Sequence, residues 1–293
     1  MLGRLVKEHT DIPAGVFNVI TSEDPRVVGD QLVGDPRVDM VSFTGSTAVG
    51  KHIMARASAT VKKVFLELGG KSANILLDDA DFGNALLSAL AVCFHAGQGC
   101  AIATRLLVPG SRQAEAEALL KTYFGYIQYG NPAAEDQIMG PLINRRQQER
   151  VLGYIERGRQ EGARLLLGGG RPAHLPQGYY VEPTVFVDVT NDMTIAQEEI
   201  FGPVLAVIAY ENEEDAIRIA NDSVYGLSGA VWSADEARAL RVARRIRTGT
   251  INVNGGNFYA ADAPFGGYKQ SGLGREMGPE GFEEYLETKT IAI

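Results

Sequence analysis

The sequence predicts an α/β protein with a largely parallel sheet. Three observations carry this reading. Short apolar runs of strand length alternate with stretches whose apolar residues recur at three- and four-residue steps, the order in which helical crossovers bring parallel strands together. Met40-Val41-Ser42-Phe43-Thr44, the turn Gly45-Ser46-Thr47 and the run Ala48 to Ala57 form a strand–glycine turn–helix unit. The 293 residues include 34 glycines, as the many tight turns of such a fold require.

In chain order, Met1 to Thr10 reads as the tail of an amphipathic helix with Leu2, Leu5 and Val6 on one face. Asp11 to Gly15 is a turn, and Val16-Phe17-Asn18-Val19-Ile20 is a short buried strand. No strand precedes the first helix, so the chain opens partway into an α/β unit. After the Gly45 turn and its helix, Lys63-Val64-Phe65-Leu66 and Asn74-Ile75-Leu76-Leu77 are strands. Asp81 to Ala96 is an apolar helix, with Phe82, Ala85, Leu86, Ala89, Val92 and Cys93 at helical steps. Arg105 to Pro109 is a buried strand closed by a turn. Gln113–Gln128 and Arg145–Gln160 are helices, and Gly168-Gly169-Gly170 turns between strands at Arg164–Leu167 and Tyr179–Val187. Val204–Tyr210, Gly229–Trp232 and Gly249–Asn254 are strands, separated by helices at Asp215–Ala220 and Asp235–Ile246. Ala263–Met277 is a glycine-rich irregular loop, and the polar–apolar alternation of Glu284–Ile291 predicts an edge strand.

The totals narrow the function classes. A chain 45% hydrophobic and 22% charged has a real core, and its net charge of −8 offers no basic face to nucleic acid or to an anionic membrane. Two cysteines make no disulfide framework, no apolar run reaches membrane-span length, and the first residues lack the apolar region of a secretory signal. These features predict a cytoplasmic protein. His9, His52, His95 and His174 are scattered without metal-ligand spacing, so no metal site is expected.

Three stretches stand out chemically. Gly97-Gln98-Gly99-Cys100 places a thiol beyond two glycines at a helix-to-strand junction, either as a nucleophile with room for substrate or as a small buried hydrophobe. Gly45-Ser46-Thr47 opens a helix whose free N–H groups suit a phosphate. The run Gly45 to Lys51 also approaches a nucleotide-triphosphate loop, but His52 stands where that loop needs Ser or Thr. Glu67-Leu68-Gly69-Gly70-Lys71 puts a carboxylate at a strand end before two glycines, either reaching an open cleft or merely exposed.

Together with Glu199-Ile200-Phe201-Gly202-Pro203-Val204 and Pro264-Phe265-Gly266-Gly267-Tyr268-Lys269-Gln270-Ser271-Gly272, these stretches resemble the NAD(P)-dependent aldehyde dehydrogenases. The motifs follow the family's order, and Glu67 and Cys100 lie 33 residues (100 − 67) apart, as in the family. The resemblance implies an aldehyde dehydrogenase-like α/β fold, with a partial Rossmann-type cofactor domain over 1–67, a catalytic domain over 68–268, and a return segment with an oligomerisation strand over 269–293. It implies oxidation of an aldehyde to a carboxylic acid with NAD or NADP, through a cysteine thiohemiacetal and thioester. Cys100 is then the nucleophile and half of an oxyanion hole through its backbone N–H, and Glu67 the general base. Gly45 and Ser46 hold a cofactor phosphate, Glu199 hydrogen-bonds the nicotinamide ribose with Phe201 packed beside it, and Leu68 lies near the nicotinamide. The implied partners are a small aldehyde and further copies of the chain, as a dimer or tetramer.

One departure stands at the start. Family members carry a preceding segment with an asparagine that completes the oxyanion hole and a lysine that holds the adenosine ribose, and neither has a counterpart between Met1 and Val41. The expectation is that these 293 residues alone turn over aldehydes poorly, and the alternative reading is an impaired subunit or interaction partner. A thiol hydrolase using His95 with Cys100 is a further alternative, which hydrolysis without NAD would reveal.

Overall fold

The structure, a computed structural model, describes residues 1–257 and 259–293. Contacts divide it into two units: Met1–Ser42 with Lys51–Val64, and Phe43–Gly50 with Phe65–Ile293.

In the first unit, a helix at Leu2–His9 buries none of its side chains. A second helix, Pro25–Gly34, starts at Asp24, whose carboxylate accepts from the Arg26 N–H and so satisfies one free helix donor. His52 meets the Asp30 carboxylate at 2.9 Å, and Lys62 Nζ donates to the Asp35 carbonyl at 2.6 Å. The strand expected at Val16–Ile20 does not form, and its side chains are exposed. Apolar residues make a strand only where a neighbour completes the ladder, and no strand of the described residues pairs with this run.

The second unit is organised by one sheet. Over both units, the strands in chain order are β1 (Met40–Thr44), β2 (Lys63–Glu67), β3 (Ala73–Leu76), β4 (Arg105–Pro109), β5 (Arg164–Leu167), β6 (Thr184–Val187), β7 (Val204–Tyr210), β8 (Tyr225–Gly226), β9 (Gly229–Trp232), β10 (Asn252–Val253), β11 (Tyr268–Lys269) and β12 (Gly272–Leu273), of which β1 and β2 begin in the first unit. Seven of them form a sheet in the order β10-β9-β3-β4-β7-β6-β5. Its pairs are parallel except β5 with β6. Every residue of β3 and β4 is buried, as expected for central parallel strands covered on both faces. Ile75, Leu107, Phe186 and Leu205 fill the centre of the core. Helices Arg145–Gln160, Glu213–Asn221 and Glu236–Ala243 are capped by Asn144, Asn212 and Asp235.

The remaining differences lie near the motifs. The helix expected over Asp81–Ala96 is a short α-helix, Phe82–Ala85, followed by a 3₁₀ run, Leu86–Gly97, that breaks at Phe94, His95 and Ala96. The glycine-rich stretch Ala263–Met277 contributes β11 and β12, which pair antiparallel with β8 and β2. Residues 286–293 carry no regular secondary structure, so the expected edge strand at Glu284–Ile291 is not observed. Its alternation supplies the faces of a strand, whereas pairing must come from a neighbour.

Candidate active site

The approach to Cys100 is bent by backbone. His95 and Ala96 lie in the left-handed region, at φ of 52° and 53°, which is costly for side chains with a Cβ. Gly97 follows at φ 72°, where a Cβ would stand 2.1 Å from the Gly202 carbonyl oxygen. Only glycine fits there, so the two loops press directly on each other. Gly70 plays the matching part on another side, where a Cβ would meet the Cys100 carbonyl oxygen at 2.5 Å. The Ser228 hydroxyl donates to the Ala101 carbonyl at 2.7 Å and fixes the loop beyond the thiol.

Cys100 is half-buried and Cys93 is fully buried. Burial pushes the Cys93 thiol up to about 12. Burial also raises Cys100, with the Glu199 and Glu67 carboxylates acting in the same direction, while backbone N–H groups at Cys100 and Ala101 favour its thiolate. The charges acting on the thiol are thus carboxylates rather than the His95 ring.

Glu67 ends β2, whose Glu67 and Leu66 face Gly272 and Leu273 of β12. Its carbonyl accepts from the Gly45 N–H at 2.9 Å, and the neighbouring Leu68 N–H donates to the Ser271 carbonyl at 2.8 Å. The side chain is only 2% exposed, and among the described residues neither carboxylate oxygen has a hydrogen-bond partner. Burial first, then the Glu276 charge, pushes its carboxyl up to about 8, against the pull of Arg275. A carboxyl held there exchanges a proton near neutral pH, the property a general base needs. Four residues on, burial and then Arg105 push the Lys71 amine down to about 7. The Arg105 guanidinium ties the Lys71 carbonyl to the carbonyls of Ile219 and Ala220, each at 2.9 Å.

Glu199, far off in sequence, accepts from the Gly70 N–H at 3.0 Å. Its segment is held by the helix Arg145–Gln160: Gln147 donates to the carbonyls of Ile200 and Phe201 at 3.2 and 2.7 Å, and Arg150 to that of Glu199 at 2.7 Å. Phe201 sits at φ 59°. Gly45, Ser46, Glu67, Leu68, Cys100, Glu199 and Phe201 all line one cleft of about 690 Å³, so the second unit collects every residue singled out in the sequence. The same cleft is lined by Gln98 of the cysteine motif and by Arg146, Gln147 and Arg150, which the sequence did not mark. Polar residues on an exposed helix face carry no local sign of such a role. On its other side Cys100 opens on a second chamber of about 560 Å³, lined by Asn74, Ala91, Phe94, Ile102, Trp232 and Tyr259 among others.

This arrangement, a half-buried thiol between two cavities with a carboxyl of raised affinity for its proton, agrees with the match of residues 1–291 to the aldehyde dehydrogenase family. The chain belongs to that family. It is 48% identical over 295 residues to the 3-succinoylsemialdehyde-pyridine dehydrogenase of a Pseudomonas species, covering 99% of this chain and 61% of that protein. Among solved structures, a mutant aldehyde dehydrogenase C from Pseudomonas syringae, complexed with NAD+ and octanal, is 48% identical with a TM-score of 0.88, over 89% of this chain and 54% of that one. An NAD+ complex of a Mycobacterium tuberculosis aldehyde dehydrogenase is 50% identical with a TM-score of 0.85, over 87% and 53%. The chain spans about 60% of the length of the curated relatives it matches. Within the family's pattern, Gly70, Gly97 and Gly202 account for why its glycines flank the thiol: three backbones converge there.

Among the described residues no three His, Cys, Asp or Glu side chains gather as metal ligands, and no helix is long and apolar enough to cross a membrane.

Proposed function

We propose that this chain carries the catalytic centre of an aldehyde dehydrogenase, oxidising an aldehyde to a carboxylic acid with NAD+ or NADP+ through Cys100. The observation that supports it most is the meeting of two cavities at one thiol, with Glu67 in the wall of the first. The first cavity suits a dinucleotide. It offers the Ser46 end of the 11-residue helix Thr47–Ala57, whose free N–H groups attract phosphate, two arginines, and Glu199 as an acceptor for ribose hydroxyls.

In the reaction, the Cys100 thiolate attacks the aldehyde carbon, a C–S bond forms, and the carbonyl electrons move onto oxygen. The Cys100 N–H donates to that oxyanion on this reading. NAD(P)+, when bound in the cleft, supplies the acceptor for the hydride leaving this carbon. The oxyanion then re-forms its carbonyl and leaves a thioester on Sγ. Glu67, ionised, takes a proton from the water that attacks the thioester, the C–S bond breaks, and the acid and the thiolate are released. Splitting the oxidation this way replaces one difficult step with two easier ones.

On this reading residues 1–67 belong to a dinucleotide-binding domain, 68–268 to the catalytic domain and 269–293 to a return segment, in a cytoplasmic homo-oligomer. The octanal complex of the Pseudomonas syringae relative supports an aldehyde as the substrate class. The test is mass spectrometry after rapid mixing with aldehyde, with and without NAD+. An acyl mass on the Cys100 peptide that requires NAD+ is expected. Acylation elsewhere, or NAD-independent ester hydrolysis alone, would point instead to a thiol hydrolase and overturn the proposal.

A further inference from the structure

We propose that the second chamber selects uncharged aldehydes with an apolar body over aldehydes that carry a fixed charge. This rests on the reading of Cys100 as the nucleophile and adds the substrate class.

The floor of the chamber is a face of the main sheet. Asn74 of β3 and Asn252 of β10 both stand opposite Ala230 of β9, so the three side chains form a row across three strands. Trp232, two residues beyond Ala230, shares that face. The 3₁₀ run over Leu86–Gly97 supplies Ser88, Ala91 and Phe94 to the same lining. The polar groups in this lining are amides, hydroxyls, an indole and the His95 imidazole, beside the Cys100 thiol itself. Among the described residues no Lys, Arg, Asp or Glu lines the chamber.

A fixed charge brought here would shed water and meet no Lys, Arg, Asp or Glu side chain among the described lining residues, which is costly in a confined site. Glu67, across the thiol, offers a cation little, because its carboxyl is held mostly protonated at neutral pH. Lys71 and Arg105 are both buried in a separate polar pocket and so offer an anion nothing. At about 560 Å³ the chamber falls within the usual range for a small organic ligand. Apolar walls around a reactive thiol favour a substrate whose tail buries apolar surface.

The test needs no turnover. The purified chain, without cofactor, is alkylated with iodoacetamide, and labelling of Cys100 is followed by peptide mapping. Octanal, 3-phenylpropanal, succinate semialdehyde and betaine aldehyde are compared as protectants. The neutral pair should protect at concentrations at least ~10-fold below the anionic and cationic aldehydes. Equal protection by the charged aldehydes overturns the proposal and leaves the nucleophile intact. If no aldehyde slows labelling, the nucleophile reading falls first and the proposal with it. Ala91→Glu, at a half-buried position on the roof, places a carboxylate in the chamber. It should shift relative protection toward betaine aldehyde by about tenfold. Asn257→Asp, outside the sheet, does the same should Ala91→Glu fail to fold. A folded variant of either kind with unchanged preference counts against the chamber as the selecting element.

Discussion

The two cavities that meet at Cys100 are built from different chemistry. The cleft on the Glu199 side carries charge, with Arg146, Arg150, Glu67 and Glu199 in its wall. The chamber on the sheet side has no Lys, Arg, Asp or Glu among its described lining residues, and amides, hydroxyls and the His95 imidazole sit there among aromatic and small side chains. On the proposed function, the difference follows from what each cavity must do. A dinucleotide brings phosphates and ribose hydroxyls that need fixed donors and acceptors. A carbonyl under attack needs its surroundings dry, because exclusion of water strengthens the few electrostatic contacts around it. The thiol stands on the boundary and senses both, raised by burial and by the two carboxylates.

The sharpest way to break this comparison is to ask whether the boundary makes Cys100 special. Cys93 lies seven residues earlier on the apolar face, fully buried, its thiol pushed up to about 12. Mild alkylation followed by peptide mapping should label Cys100 faster by on the order of 10²-fold or more, since thiolate fraction and access both favour it. Labelling of Cys93 first would remove the nucleophile from this boundary.

Next in size is Glu67→Gln. The variant should keep a first-turnover burst of reduced cofactor and slow the steady state by about 10²–10³-fold, because thioester hydrolysis loses its base. In the wild type, hydrolysis should rise with pH through about 8 and level off above it, where the carboxyl is ionised. Stability gives a second readout. The folded carboxyl is raised from 4.5 to about 8, so its contribution is present below 4.5 and is lost progressively as pH rises to about 8. Glu67→Gln should therefore be more stable than wild type at alkaline pH and similar at pH near 4.5. Identical urea midpoints at alkaline pH would mean that Glu67 is not the buried acid described here.

The charged side of the boundary was far more legible in the sequence than the neutral side. Gly45, Ser46, Glu67, Leu68, Cys100, Glu199 and Phe201 are spread over more than half the chain, yet each sits in a short motif whose residue types suit its contacts. The neutral chamber has no such motif. Asn74, Ala230 and Asn252 become a row only through strand register, which no local pattern states. The break at Phe94–Ala96 escaped for a related reason. Its apolar spacing continues to read as helix, but the contact of Gly97 with Gly202 bends the chain from outside. The strands β11 and β12 are two residues long and exist because β8 and β2 accept them. Val16–Ile20 and Glu284–Ile291 show the converse, strand-like patterns with no strand formed.

Gly97→Ala tests that bend. The added methyl group meets the Gly202 carbonyl at 2.1 Å and must also adopt a φ of 72°. A loss of about 2–4 kcal/mol is expected, the range of backbone strain combined with overpacking. Urea denaturation monitored by circular dichroism measures it, and a loss below about 0.5 kcal/mol, the scale of a neutral surface change, would show that the two loops separate freely.

The smallest expected effect sharpens the comparison most, because it asks whether the two cavities act separately. Glu199→Gln keeps the shape of the side chain and an oxygen that can still accept from the Gly70 N–H at 3.0 Å. What it loses is charge. Hydrogen bonds to a charged acceptor contribute roughly 1.5–3 kcal/mol and neutral ones roughly 0.5–1.5. Removing the charge should therefore cost about 1.4 kcal/mol, or tenfold in Kd for NAD+ by titration calorimetry. The same substitution removes one of the two carboxylates that raise the Cys100 thiol, so alkylation of Cys100 should become modestly faster at neutral pH. Protection of Cys100 by octanal, which depends on the other cavity, should hold its concentration dependence. If NAD+ affinity stays the same, Glu199 does not contact the cofactor. If octanal protection weakens in step with NAD+ binding, the two cavities are one coupled site, and the division of charge between them does not divide their work.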